Sequence, residues 1–98
     1  MQSRLDEKSS RLIVNSNQIG VDFLRTDLDA GLTFVSVAKT TTSLESRARN
    51  FSKALKAYQT VIRFLPRVTP SAGEQTEIQD KLENLRADLE QAGYACQS

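Results

Sequence analysis

The stretch from about Asn17 to Thr41 constrains this chain more than any other. Placed at about 100° per residue, Ile19, Phe23, Leu24, Leu28, Ala30, Gly31, Leu32, Phe34, Val35, Val37 and Ala38 sweep an arc of roughly 220°. One neighbouring helix needs far less. A helix that is apolar on two sides lies between two others of its own fold, or between its own fold and a partner. Asp22, Arg25, Thr26, Asp29, Thr33 and Ser36 make up the narrow polar remainder.

Two further helices can be read downstream. Over residues 43–66, Phe51, Ala54, Leu55, Tyr58, Val61, Ile62 and Leu65 share an arc of about 120°, an ordinary core-facing stripe. Thr42 with Glu45 three positions on reads as a capping box at its start, and Pro66 as its stop. Over residues 72–92, Ser71 and Glu74 form a second capping box ahead of the seam Ile78, Leu82, Leu85 and Leu89. Gly93 is placed to cap its end, and residues 94–98 read as a frayed tail. Residues 1–15 are weaker, with only Leu5 and Leu12 clearly on one face. Asn15-Ser16-Asn17 reads as a break, with Ser16 or Asn17 as N-cap for a helix over 17–41. The N-terminal segment would then either cover the second apolar face or pack on another chain. The expected fold is all-α and occupies residues 1–98 as one domain: an antiparallel helical hairpin plus a third helix, a three- to four-helix bundle.

The stretch Phe51–Pro66, F-S-K-A-L-K-A-Y-Q-T-V-I-R-F-L-P, resembles the second half of a tetratricopeptide repeat. Ala54, Tyr58, Val61 and Pro66 fall at the spacings of that repeat's small residue, aromatic, second small residue and proline, with Val61 larger than the usual alanine. Ala30-Gly31-Leu32-Thr33-Phe34 is similar to the glycine and aromatic of its first helix, although about ten residues too far upstream, and no second copy follows. A generic three-helix bundle, such as microtubule-interacting and transport domains form, accommodates the same pattern. Either resemblance implies binding of peptides or helices rather than catalysis.

Composition narrows the chemistry. The chain has no histidine, so it lacks imidazole metal ligands and the usual general base near pH 7. Its one cysteine, Cys96, excludes an intrachain disulfide and suits a reducing compartment, which points to the cytoplasm. The glycines at 20, 31, 73 and 93 are isolated and form no phosphate loop. Glu77, Asp80, Glu83, Asp88 and Glu90 are scattered over the outer side of the third helix rather than paired in a cleft. The longest apolar runs, such as Leu12-Ile13-Val14, are far short of the roughly 20 residues that span a bilayer. No enzyme, cofactor, metal or membrane role is expected.

Two surfaces remain as candidates. The first is the second apolar face of the 17–41 helix, around Ile19, Phe23, Phe34 and Val37, which would anchor a protein partner or a second copy of the chain. The second is a basic row, Arg49, Lys53, Lys56, Arg63 and Arg67, lying within about 80° opposite the apolar stripe and flanked by Phe64. Residues 44–67 carry six basic side chains and one acidic, whereas residues 71–98 carry two basic and six acidic. The row could hold nucleic acid or another anionic partner; it could equally be a solvated face, or be drawn to its acidic neighbour helix. Asp27 is anomalous because it falls inside the apolar arc near Gly31, Phe34 and Ala38. In a hairpin turning at Thr42 it comes level with Ala57 and Tyr58. It is then either hydrogen-bonded by the Tyr58 hydroxyl or left at the rim in water.

Overall fold

A computed structural model describes the backbone of residues 2–96 and the side chains of residues 16–96. Three helices pack together: α1 (Gln2–Thr40), α2 (Leu44–Phe64) and α3 (Ala72–Gln91). A 3₁₀ turn, Leu65–Arg67, carries the chain out of α2. The all-α reading is correct, and no strand occurs among the described residues.

The helix ends follow local chemistry. Ser43, not Thr42, caps α2: its Oγ accepts from the Ser46 amide at 3.2 Å, and Ser43 N donates to Thr41 Oγ. The expected box with Glu45 is therefore absent, because the cap lies one residue later and puts Ser46 at the third helical position. At the other end, α2 closes at Phe64 and Pro66 sits in the 3₁₀ turn, where its missing N–H costs no ladder bond. The Ser71 box is present in full: Glu74 N donates to Ser71 Oγ, and Glu74 Oε1 accepts from Ser71 N. Gly93 adopts φ +92° beyond α3. Its amide donates to Glu90 O and that of Tyr94 to Leu89 O, the paired bonds of a Schellman turn. This turn lays Tyr94 on Phe51, ring centroids 5.5 Å apart, so the tail is held at Tyr94 and half-buried at Cys96 rather than frayed. Residues 97–98 lie outside the described ones.

The expected break at residues 15–17 does not occur, and α1 runs through it. Asn and Ser cost an interior helix only about half a kcal/mol each. Asn17 also has a better use for its amide. Its Nδ2 donates to Thr69 O at 3.0 Å and its Oδ1 accepts from Thr69 N at 2.7 Å, clamping the α2–α3 connection to α1. Neither atom is left to compete for the local backbone. How residues 1–15 pack, alongside the domain or on another chain, lies outside the described side chains.

α1 and α2 form the antiparallel hairpin, and α3 returns alongside α1 in the same direction. Ion pairs record that register: Arg25 Nε meets Glu77 at 2.7 Å, Asp29 meets Lys81 at 2.6 Å and Lys39 meets Asp88 at 2.8 Å. Val21, Leu24, Leu28, Val35 and Ala38 of α1 fill the core with Phe51, Ala54, Tyr58 and Val61 of α2. The whole predicted α3 seam, Ile78, Leu82, Leu85 and Leu89, completes it. All three helices meet at Gly31. A Cβ there would stand 3.2 Å from that of Ala57 and 2.9 Å from Leu85 Cδ2, so its hydrogen allows the close approach.

Candidate functional site

α1 divides its wide apolar arc between two destinations. Residues at the centre of the arc's inner half are buried against α2 and α3. On the outer side, Ile19 is 69% exposed, Phe23 53% and Val37 42%. Phe34, the fourth candidate, is only half-buried: it packs against the edge of the core and lies beneath Lys53, whose Nζ is 5.6 Å from the ring centroid. Ile19, Phe23 and Val37 thus form one exposed face, while Phe34 sits where that face meets α2.

At one end the face deepens into an apolar groove of about 430 Å³. Ile19, Phe23 and Leu24 of α1 form one wall, and Phe64, Arg67 and Val68 form the other. Gly20 sets its floor, since Val68 approaches so closely that a Cβ on Gly20 would stand 2.7 Å from Val68 Cγ1. The guanidinium of Arg67 lies 5.2 Å from the Phe64 ring centroid, keeping an aromatic surface beside a positive charge. The groove was not legible in the sequence, because Val68 and Phe64 fall outside any clean helical stripe. The nearest signal was the glycine at 20, unexplained by helix propensity.

All five residues of the basic row, Arg49, Lys53, Lys56, Arg63 and Arg67, are exposed. Arg49 pairs with Glu45 at 3.3 Å; the other four make no ion pair among the described residues. The row is a solvated face, and the alternative, attraction to the acidic third helix, does not form among the described residues. Instead α3 directs Glu74, Glu77 and Asp88 at Arg25 and Lys39 of α1, because α3 packs on the flank of α1 away from that row. Arg25 and Lys81 hold the Glu77 carboxyl below its ordinary range by hydrogen bonding. Gln18 and then Ser71 do the same for Glu74. The hydrogen bonds that Lys81 Nζ donates to Asp29 and then to Glu77 hold its ammonium above the ordinary lysine range.

Asp27 is half-buried at the α1–α2 edge, with no hydrogen-bond or ion-pair partner among the described residues. Burial pushes its carboxyl upward. The Tyr58 hydroxyl makes no hydrogen bond to it: Tyr58 is buried, which raises its phenol, and its oxygen is nearer Arg86 and Glu90 of α3 and Cys96 beyond that helix. Asp27 is therefore a rim residue. Ala54, Tyr58 and Val61 are fully buried core, and Pro66 is exposed in the 3₁₀ turn. Burial raises the Cys96 thiol, which reduces its thiolate content.

A second cleft, of about 350 Å³, lies at the opposite end between Lys39, Arg47, Phe51 and Asp88, and its two opposite charges at Lys39 and Asp88 already pair with each other. Among the described residues, no group of three Cys, Asp or Glu side chains converges as a metal set, and no helix is long and apolar enough to cross a membrane. Comparison with protein-family models, with curated proteins and with solved structures returns no match.

Proposed function

We propose that this chain is a non-enzymatic helical module for protein–protein interaction or self-assembly, and that its contact surface is the exposed face of α1. The observation that carries this reading is the exposure of Ile19, Phe23 and Val37 on a helix whose other side is fully buried. Apolar side chains of this size on one face, beside a groove, are suited to anchor a partner helix, with affinity coming from their desolvation. The tetratricopeptide-like reading of the hairpin, carried by Ala54, Tyr58, Val61 and Pro66, belongs to the same proposal, as does a cytoplasmic location.

Light scattering across a concentration series tests it on the full chain. The expected result is a mass that rises above the 10.9 kDa of one chain and returns to it in Phe23→Asp. Phe23 is half exposed, so its replacement should leave the helical circular dichroism unchanged. A chain that stays monomeric, and a Phe23→Asp variant indistinguishable from it, would refute self-assembly through this face.

A second reading is favoured by the basic row, where four exposed cations make no ion pair among the described residues and two of them, Lys53 and Arg67, lie over the rings of Phe34 and Phe64. It makes the chain a binder of nucleic acid or another anionic partner. Affinity for a single-stranded oligonucleotide would then fall steeply with salt and disappear in Lys53→Glu/Arg63→Glu. The first reading expects that double variant to leave assembly nearly intact, because exposed rim charges contribute little to affinity.

A further inference from the structure

We infer that the exposed face of α1 is occupied by the same face of a second copy of this chain, related by a two-fold axis along α1 so that the two α1 helices lie parallel. The inference rests on the self-assembly reading above and adds to it the occupant and the orientation.

The face has the spacing of a helix seam. Ile19, Phe23, Thr26, Ala30, Thr33 and Val37 follow one another in steps of four and three, the alternation by which one helix meets another along a left-handed supercoil. Thr26 and Thr33 are exposed and Ala30 between them is half-buried, so the line reaches the surface along its length.

Charge decides the orientation. On the α2 flank of the seam stand Lys53, over the Phe34 ring, and Arg67, in the groove beside Ile19 and Phe23; neither makes an ion pair among the described residues, and Asp27 is the carboxylate set against them there. On the α3 flank stand Asp22, Asp29, Glu74, Glu77 and Asp88, offset among the described residues by Arg25, Lys39 and Lys81. One flank is net positive and the other net negative. A two-fold axis running along α1 exchanges left for right, so the positive flank of each copy lies over the negative flank of the other. A two-fold axis running across α1 gives antiparallel helices and keeps left on left, which sets positive on positive and negative on negative. One surface thus carries both a self-complementary seam and both signs of charge in the arrangement that an isologous contact requires. Such rim charges act weakly on affinity and strongly on register, so orientation is where they should be read.

Spin labels at Ser16 and Thr40 measure that orientation. Both residues are exposed and polar and lie near the ends of the seam. Each is replaced singly by Cys in a full-length Cys96→Ser background, and intermolecular distances are read by double electron–electron resonance, beside the light-scattering mass of the unlabelled chain. In the parallel pair both labels face their own copies, and both distances stay within about 25 Å, given helix axes 8–10 Å apart. In any antiparallel pair the two distances along the axis must sum to about 72 Å, since the sites are about 36 Å apart at 1.5 Å per residue, so at least one reaches about 36 Å. A dimer with one such long distance overturns the parallel orientation while self-assembly stands. A monomer, with no intermolecular distance from either site, overturns both.

Discussion

Gly31→Val tests whether the three helices are locked together at one point. The new Cβ would lie 2.9 Å from Leu85 Cδ2 and 3.2 Å from the Ala57 Cβ, where carbon atoms prefer about 3.5–4.0 Å. Leu85 is fully buried, so its Cδ2 can turn away only against other core side chains, and the Ala57 Cβ moves only if α2 moves. Valine adds two methyl groups beyond that Cβ. Overpacking of this kind costs about 1–3 kcal/mol, and the better helix propensity of valine over glycine returns a few tenths. A net loss of about 2 kcal/mol follows, lowering Tm by roughly 8–16 °C for a domain of this size. Leu85→Ala alone should cost about 2–5 kcal/mol, because it opens a cavity in the same place. The valine methyls would partly fill that cavity, so the double variant should lose at least about 1 kcal/mol less than the sum of the two. Urea unfolding followed by far-ultraviolet circular dichroism, at one fixed protein concentration, gives all four corners of the cycle. Additivity within about 0.5 kcal/mol, or a Gly31→Val variant as stable as the parent, would refute the close approach at Gly31.

Ser71→Ala removes the accepting oxygen for the Glu74 amide, and chemical denaturation should show a loss of about 1 kcal/mol, within the 0.5–2 kcal/mol range of cap deletions. Tyr94→Ala removes the ring resting on Phe51, and the same measurement should show about 1 kcal/mol lost from the aromatic pair. Acid should weaken the fold through Glu74 and Glu77. Their folded pKa values lie below the unfolded ones, so their stabilisation is complete above the ordinary carboxylate range and is lost as pH falls through the folded values. Thermal melts from neutral pH downward should show Tm falling across that range, with a shallower fall in Glu77→Gln.

The sequence alone determined the helices and most of the core. Periodicity at 3.6 residues is a local property, and an apolar stripe such as Ile78–Leu82–Leu85–Leu89 needs no knowledge of its neighbours to be recognised. The same holds for the Ser71 box and the Gly93 turn, whose hydrogen bonds span only a few residues. Helix boundaries were less legible where two local solutions differ little in energy, as between Thr42 and Ser43. The sequence also shows that α1 is apolar on two sides, while Val21, fully buried, is not among the residues from which that apolar arc is read. Which side goes inward depends on the direction from which α2 and α3 approach, and no single helix encodes that. Tertiary structure therefore decided that Phe34 turns toward the edge of the core while Ile19 and Phe23 stay exposed. It also decided what the charges do. Opposite totals on α2 and α3 suggested mutual attraction, but α3 packs on the far flank of α1 and gives its carboxylates to Arg25 and Lys39. Asn17 shows the same rule at one residue. Locally it reads as a helix breaker, yet Thr69, distant in sequence, supplies both partners its amide needs and lets the helix run on. Coulombic and hydrogen-bonding partners are chosen by distance in space, which the chain acquires only when it folds.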